Sequence, residues 1–103
     1  MTQRIPFDRG AVAEYCHRWK IKELSFFGSV LRKDFRQDSD VDVLVSFEAS
    51  ADWGLFDHAM MQDELSQLLG RRVDLLTRRA VERSSNPIRR DAILKSAEVV
   101  HVA

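Results

Sequence analysis

The sequence is poor in the residues that build special frameworks. It has one cysteine, two prolines and four glycines in 103 residues. A lone cysteine, Cys16, cannot close an internal disulfide, so nothing calls for an oxidising compartment and a cytoplasmic setting is expected. So few glycines and prolines exclude collagen-like and low-complexity chains. No apolar run approaches the ~20 residues of a membrane-spanning helix, and residues 1–10 lack the apolar core of a signal peptide. His17, His58 and His101 stand far apart with no cysteine partners, which argues against a zinc site. No G-x-G-x-x-G and no G-x-x-x-x-G-K-[ST] occurs, so two common routes to a nucleotide are closed. Net charge is also missing: 16 Lys+Arg balance 16 Asp+Glu. That balance argues against coating nucleic acid by bulk charge, and no direct nucleic-acid partner is expected.

What is present is a globular composition, 45% hydrophobic and 31% charged. The length suits a single domain over residues 1–103. The zero net charge is unevenly built. Residues 71–95 hold eight basic side chains against Asp74, Glu82 and Asp91, while residues 1–70 are acidic on balance. This basic segment is a candidate for docking a partner or for holding phosphate, set against the plainer reading of a solvated face.

Periodicity predicts strands alternating with helices. Helix is expected over 8–20, capped by Asp8, and strand over 21–27. A short helix is expected over 30–35, and the β-branched run 41–47 is the strongest strand. A helix follows over 53–69 with Asp52 as cap and Gly70 as its stop. Strand 72–77, expected to be central, and a helical turn over 80–85 come next. Asn86-Pro87 opens a helix to residue 96, because Asn caps well and Pro is tolerated at the first position. Residues 99–102 form a terminal strand or tail. The sum is an α/β (α+β) domain around a small mixed sheet flanked by helices.

Three features carry chemistry. Asp40 and Asp42 flank Val41 at the start of the strongest strand, and positions two apart point to one face. Paired carboxylates repel unless a cation lies between them, and Mg2+ favours such oxygen donors. Asp74 sits among apolar residues, and burying it unpaired would cost several kcal/mol. If its strand neighbours the first, three carboxylates converge, enough for two metals and a proton acceptor. Gly28-Ser29 ends a strand, where glycine lets a ligand approach the backbone and Ser29 adds a hydroxyl. Each feature has a bland alternative: a strand-entry cap, a solvated face, an ordinary turn.

The combined pattern GS-x10-DxD, followed by Val43-Leu44-Val45 and the later Asp74, resembles the signature of the DNA polymerase β nucleotidyltransferase superfamily. The chain is most similar to its minimal nucleotidyltransferases. The resemblance spans Phe27–Arg32, Asp38–Val45, Leu68–Leu76 and the Asn86-Pro87-Ile88-Arg89 helix start. Lys33 departs from the family, which often has glycine there. The resemblance implies the polymerase-β-like fold and transfer of AMP from ATP to a hydroxyl. It assigns Asp40, Asp42 and Asp74 to two Mg2+ ions and catalysis, and Gly28 and Ser29 to the phosphates. Arg32 could steady a phosphate or pair with Asp34 or Asp38; Lys33, Arg71 and Arg78 are weaker candidates. Such proteins are commonly paired with HEPN-domain ribonuclease toxins, as antitoxins that modify a toxin tyrosine. No arginine precedes a histidine here with the HEPN R-x4–6-H spacing, so the chain is not expected to be the toxin. A homo- or hetero-oligomer fits this picture. Two alternatives remain: an antitoxin acting by binding alone, and an enzyme for a small-molecule hydroxyl.

Overall fold

Local sequence signals start and stop the elements of the fold. The structure, a computed structural model, describes residues 7–28 and 40–102. The helix expected over 30–35, together with Ser29, Arg32 and Lys33, lies outside the described residues. Helix α1 (Arg9–Arg18) begins where the Asp8 carboxylate accepts the Ala11 N–H at 3.1 Å. Strands β1 (Ile21–Phe27) and β2 (Val41–Phe47) hold the expected bounds. Helix α2 (Leu55–Leu69) ends at Gly70, whose φ of 66° is the left-handed conformation that glycine adopts without penalty. Strand β3 (Val73–Thr77) leads into the short α3 (Arg78–Glu82), capped by the Thr77 hydroxyl. Helix α4 (Pro87–Ser96) starts at Asn86, whose side chain accepts the Arg89 N–H at 3.1 Å. Strand β4 (Glu98–Val102) follows.

Two expectations need correction. Asp52 does not cap α2: Gly54 takes that place, and Asp57 reaches back to its N–H at 2.9 Å. The start is shifted because Trp53 is committed elsewhere. Its indole N–H donates to Trp19 O at 2.8 Å, and its ring meets Trp19 edge-on at 5.2 Å. The second correction concerns β3. The sheet order is β3-β2-β1-β4, so the strand carrying Asp74 lies at an edge, and Asp74 itself is exposed. Of the two readings of Asp74, buried or on a solvated face, the exposed one holds, so no burial cost arises.

β1 runs antiparallel to β2 and β4, and β2 runs parallel to β3. One sheet face carries the main core, where Tyr15 and Cys16 of α1 and Met61, Leu65 and Leu69 of α2 pack on Val41, Val43 and Val45. Burial pushes the Cys16 thiol up to about 12, which makes it a packed side chain and not a nucleophile. The other face carries a smaller cluster, in which Val81 of α3 and Ile93 of α4 cover Phe27 and Leu44. No helix among the described residues is long and apolar enough to cross a membrane.

The outer edge of β3 is covered by a polar stripe of α2. Ser66 Oγ accepts the Val73 N–H at 3.1 Å, and Gln62 Oε1 accepts the Leu75 N–H at 3.0 Å. His58 Nε2 donates to Leu75 O at 2.9 Å. Positions 58, 62 and 66 share one helix face, beside the apolar stripe 61, 65 and 69. The same helix thus buries its core face and satisfies an edge that would otherwise invite strand pairing.

Candidate active site

The thinly covered sheet face brings together residues from three strands. Asp42 and Asp74 are register partners across the parallel β2–β3 ladder, directly opposite one another. Asp42 is also the register partner of Phe27, the last residue of β1. Gly28 follows with φ 74°, and a Cβ placed on it would lie 2.3 Å from Asp42 Oδ2. Real side chains never come so close, so only glycine lets the chain turn here beside that carboxylate. The close neighbour of the Gly28 backbone is thus a carboxylate oxygen of the chain itself.

Gly28, Asp42 and Asp74 share the wall of a cavity of about 230 Å3 with Phe27, Arg89 and Ser96. Asp40 is not part of that wall. It stands just before β2, with its Oδ1 3.9 Å from Arg72 Nε, both side chains well exposed. Exposed contacts of that length contribute little. Among the described residues, no group of three or more His, Cys, Asp or Glu side chains is arranged to hold a metal ion. Two of the three expected carboxylates therefore come together directly, and the third lies outside the cavity wall. Arg78, a weaker candidate, is held by Glu23 at 3.5 Å and Glu82 at 3.4 Å. Ser29 and Arg32 lie outside the described residues.

Arg89 and Ser96 were not singled out for this site by sequence. Arg89 belongs to the basic segment, which was expected to serve docking or phosphate as a block. The usable signal was its place three residues after Asn86, in the first turn of a helix whose inner face carries Ile93. Two acids beside one arginine suit a triphosphate only with a cation present; carboxylate oxygens are the donor type that Mg2+ prefers.

Comparison with known proteins agrees with this geometry. The family model for the nucleotidyltransferase domain matches residues 9–100. A candidate protein adenylyltransferase of Methanocaldococcus jannaschii is 35% identical over 77 residues, covering 75% of this chain and 76% of the relative. The protein adenylyltransferase MntA of Thermococcus cleftensis is 36% identical over 69 residues, 67% of this chain and 68% of the relative. Among solved structures, a candidate minimal nucleotidyltransferase superposes with a TM-score of 0.66 at 39% identity, covering 87% of this chain and 86% of that one. A toxin–antitoxin structure with AMP-PNP gives a TM-score of 0.70 at 15% identity, over 93% of this chain and 74% of that one. A complex of a tri-AMPylated Shewanella oneidensis HEPN toxin with its MNT antitoxin gives 0.60 at 14% identity, over 92% and 70%. These last two share the fold. The family match opens with α1 and runs into β4, so it takes in every strand of the sheet and both carboxylates of the cavity. The chain belongs to the nucleotidyltransferase domain family, in its minimal form.

Proposed function

We propose that this chain transfers AMP from ATP to a hydroxyl of a partner protein, a HEPN-domain ribonuclease toxin, and thereby acts as its antitoxin. The observation that carries this reading is the shared wall of Gly28, Asp42 and Asp74, with the two carboxylates opposite one another in the β2–β3 register. The names of the relatives support transfer to protein, and the HEPN–MNT complex supports the kind of partner. Phosphoryl-type transfer is mainly positioning and charge neutralisation. The Gly28 backbone, with Ser29 and Arg32 after it, is assigned to the phosphates. Asp42 and Asp74, joined by Asp40, would hold Mg2+, which when bound neutralises the triphosphate and favours loss of pyrophosphate. Asp74, exposed at the sheet edge, would take the acceptor proton. The acceptor hydroxyl then arrives on the partner toxin, in a hetero-oligomer.

The test is the mass of the toxin after co-expression. Each transferred AMP adds about 329 Da, and Asp42→Asn should lower the rate roughly 100-fold or more, the usual effect of removing a charge-stabilising group. An Asp42→Asn chain that neutralises the toxin fully with no mass gain would sink the catalytic reading in favour of binding alone.

A further inference from the structure

The far end of the β2–β3 ladder carries features that the candidate site does not use. Val45 and Thr77 are its last register partners, three residues beyond Asp42 and Asp74, or about 10 Å along the strands. A cavity of about 490 Å3 opens there, lined by Glu48, Asp52 and Trp53 of the β2–α2 connection and by Arg78 and Arg79 of α3. Arg78 is answered within the chain by Glu23 and Glu82. Among the described residues Glu48, Asp52 and Arg79 make no ion pair. The start of α2 stands beside this cavity and turns Leu55, Phe56 and Met60 to water, 90%, 88% and 59% exposed. Phe56 and Met60 are four apart and share one helix face. Single exposed apolar side chains are ordinary, whereas three grouped at one helix end mark a contact surface. Phe56 follows the wall residue Trp53 by three positions, so at most ~11 Å of chain separates the projecting ring from the cavity.

We propose that this surface is a two-fold interface between two copies of the chain, in which Phe56 of each protomer enters the cavity of its partner. A knob beside a hole on one surface is self-complementary, because a two-fold axis between them seats both knobs at once. The charges select a second copy over a partner of different sequence. The cavity wall leaves one guanidinium and two carboxylates unanswered, and the same axis sets Arg79 of one protomer against Glu48 and Asp52 of the other, twice over. A partner surface of one charge sign would answer one of these groups and repel the other. Entry of Phe56 takes an aromatic ring out of water, the kind of anchor that dominates protein interfaces. The cavity volume lies within the ~300–1,000 Å3 that holds such groups. A dimer joined at this end leaves Gly28, Asp42 and Asp74, at the other end of the ladder, open on each protomer. The proposal uses no residue of that site, so it stands whether or not the chain transfers AMP.

Sedimentation velocity of the full chain over a range of concentrations tests this, and a reversible dimer is expected. Phe56→Ser should weaken it at least ~30-fold, the loss that marks an anchor residue. Ile88→Ser removes a similarly exposed side chain from α4 and should leave the dimer unchanged. Both side chains are exposed, so neither change disturbs the core. Arg79→Glu and the double change Glu48→Lys/Asp52→Lys should each weaken self-association roughly 10-fold or more, because each sets like charges together. Mixed in equal amounts, these two variants should pair with one another about as tightly as the parent chain, since both contacts then join opposite signs. A parent chain that stays monomeric at ~1 mM, a dimer indifferent to Phe56→Ser, or charge variants that do not pair when mixed, overturns the proposal. A monomeric parent whose toxin binding is lost in Phe56→Ser overturns it too, and gives this face to the toxin.

Discussion

Gly28 shows how one missing methyl group shapes the site. Its φ of 74° and the 2.3 Å approach to Asp42 Oδ2 act together. Gly28→Ala would meet both penalties: about 1–2 kcal/mol for a left-handed backbone on an L-residue, and displacement of the Asp42 carboxylate. Stability should therefore fall modestly, while AMP transfer falls far more, because the proposed chemistry uses the displaced group. Thermal unfolding beside a partner-mass assay reads both. Equal, small losses in the two would mean that Asp42's position is unimportant. The asymmetry between Asp40 and Asp42 is also a residue-scale matter. Alternation puts both on one face in principle, but the ladder begins at Val41. Asp42 is held from both sides by β1 and β3 partners, whereas Asp40 stands before the ladder, 3.9 Å from Arg72 Nε.

At the scale of elements, α2 does two jobs with adjacent stripes. The apolar stripe made the helix visible in the sequence. The polar stripe His58, Gln62 and Ser66 reads as ordinary surface until β3 is set beside it. Gln62→Ala removes the acceptor of the Leu75 N–H and should cost about 1–2 kcal/mol. Gln67→Ala, on the exposed face, should stay within about 0.5 kcal/mol. Urea unfolding of the two variants compares them directly, and equal costs would show that water replaces Gln62 at the edge. The ends of elements divide in the same way. Asp8, Gly70 and Asn86-Pro87 were legible because each cap acts on backbone within its own turn. The start of α2 was not, because Trp53 is drawn away by Trp19, 34 residues earlier.

At the scale of the whole molecule, the sheet divides the fold into a thick face holding the main core and a thin one bearing the candidate site. The thick face is locked at its rim by Glu64, which accepts from Arg18 and from the Trp19 indole N–H and so ties α2 to α1. The Arg18 hydrogen bond, ahead of the Trp19 bond, outweighs burial and holds the Glu64 carboxyl below its ordinary value. A carboxyl whose pKa is lowered on folding stabilises fully above its unfolded value, about 4.3, and loses that contribution as pH falls through the folded one. Acid titration of unfolding midpoints should thus show Glu64→Gln losing less stability below about pH 4 than the parent chain. Parallel acid limbs would assign the loss to other carboxylates.

The order of helices and strands, their caps, and the glycine and carboxylates of the GS-x10-DxD pattern were set by neighbours within a few residues. Backbone sterics, capping hydrogen bonds and side-chain alternation are local forces, so a linear reading suffices for them. The partnership of Asp42 with Asp74, the edge position of β3 and the reach of Arg89 over the same cavity were settled only by folding. Each joins residues 15 to 47 positions apart, and a strand's register and its neighbours are chosen by which faces can be buried together. The same physics explains why an aspartate amid Val73, Leu75 and Leu76 could be mistaken for a buried charge. Its neighbours do pack inward, while Asp74 looks out from the sheet edge into the cavity where a triphosphate is proposed to bind.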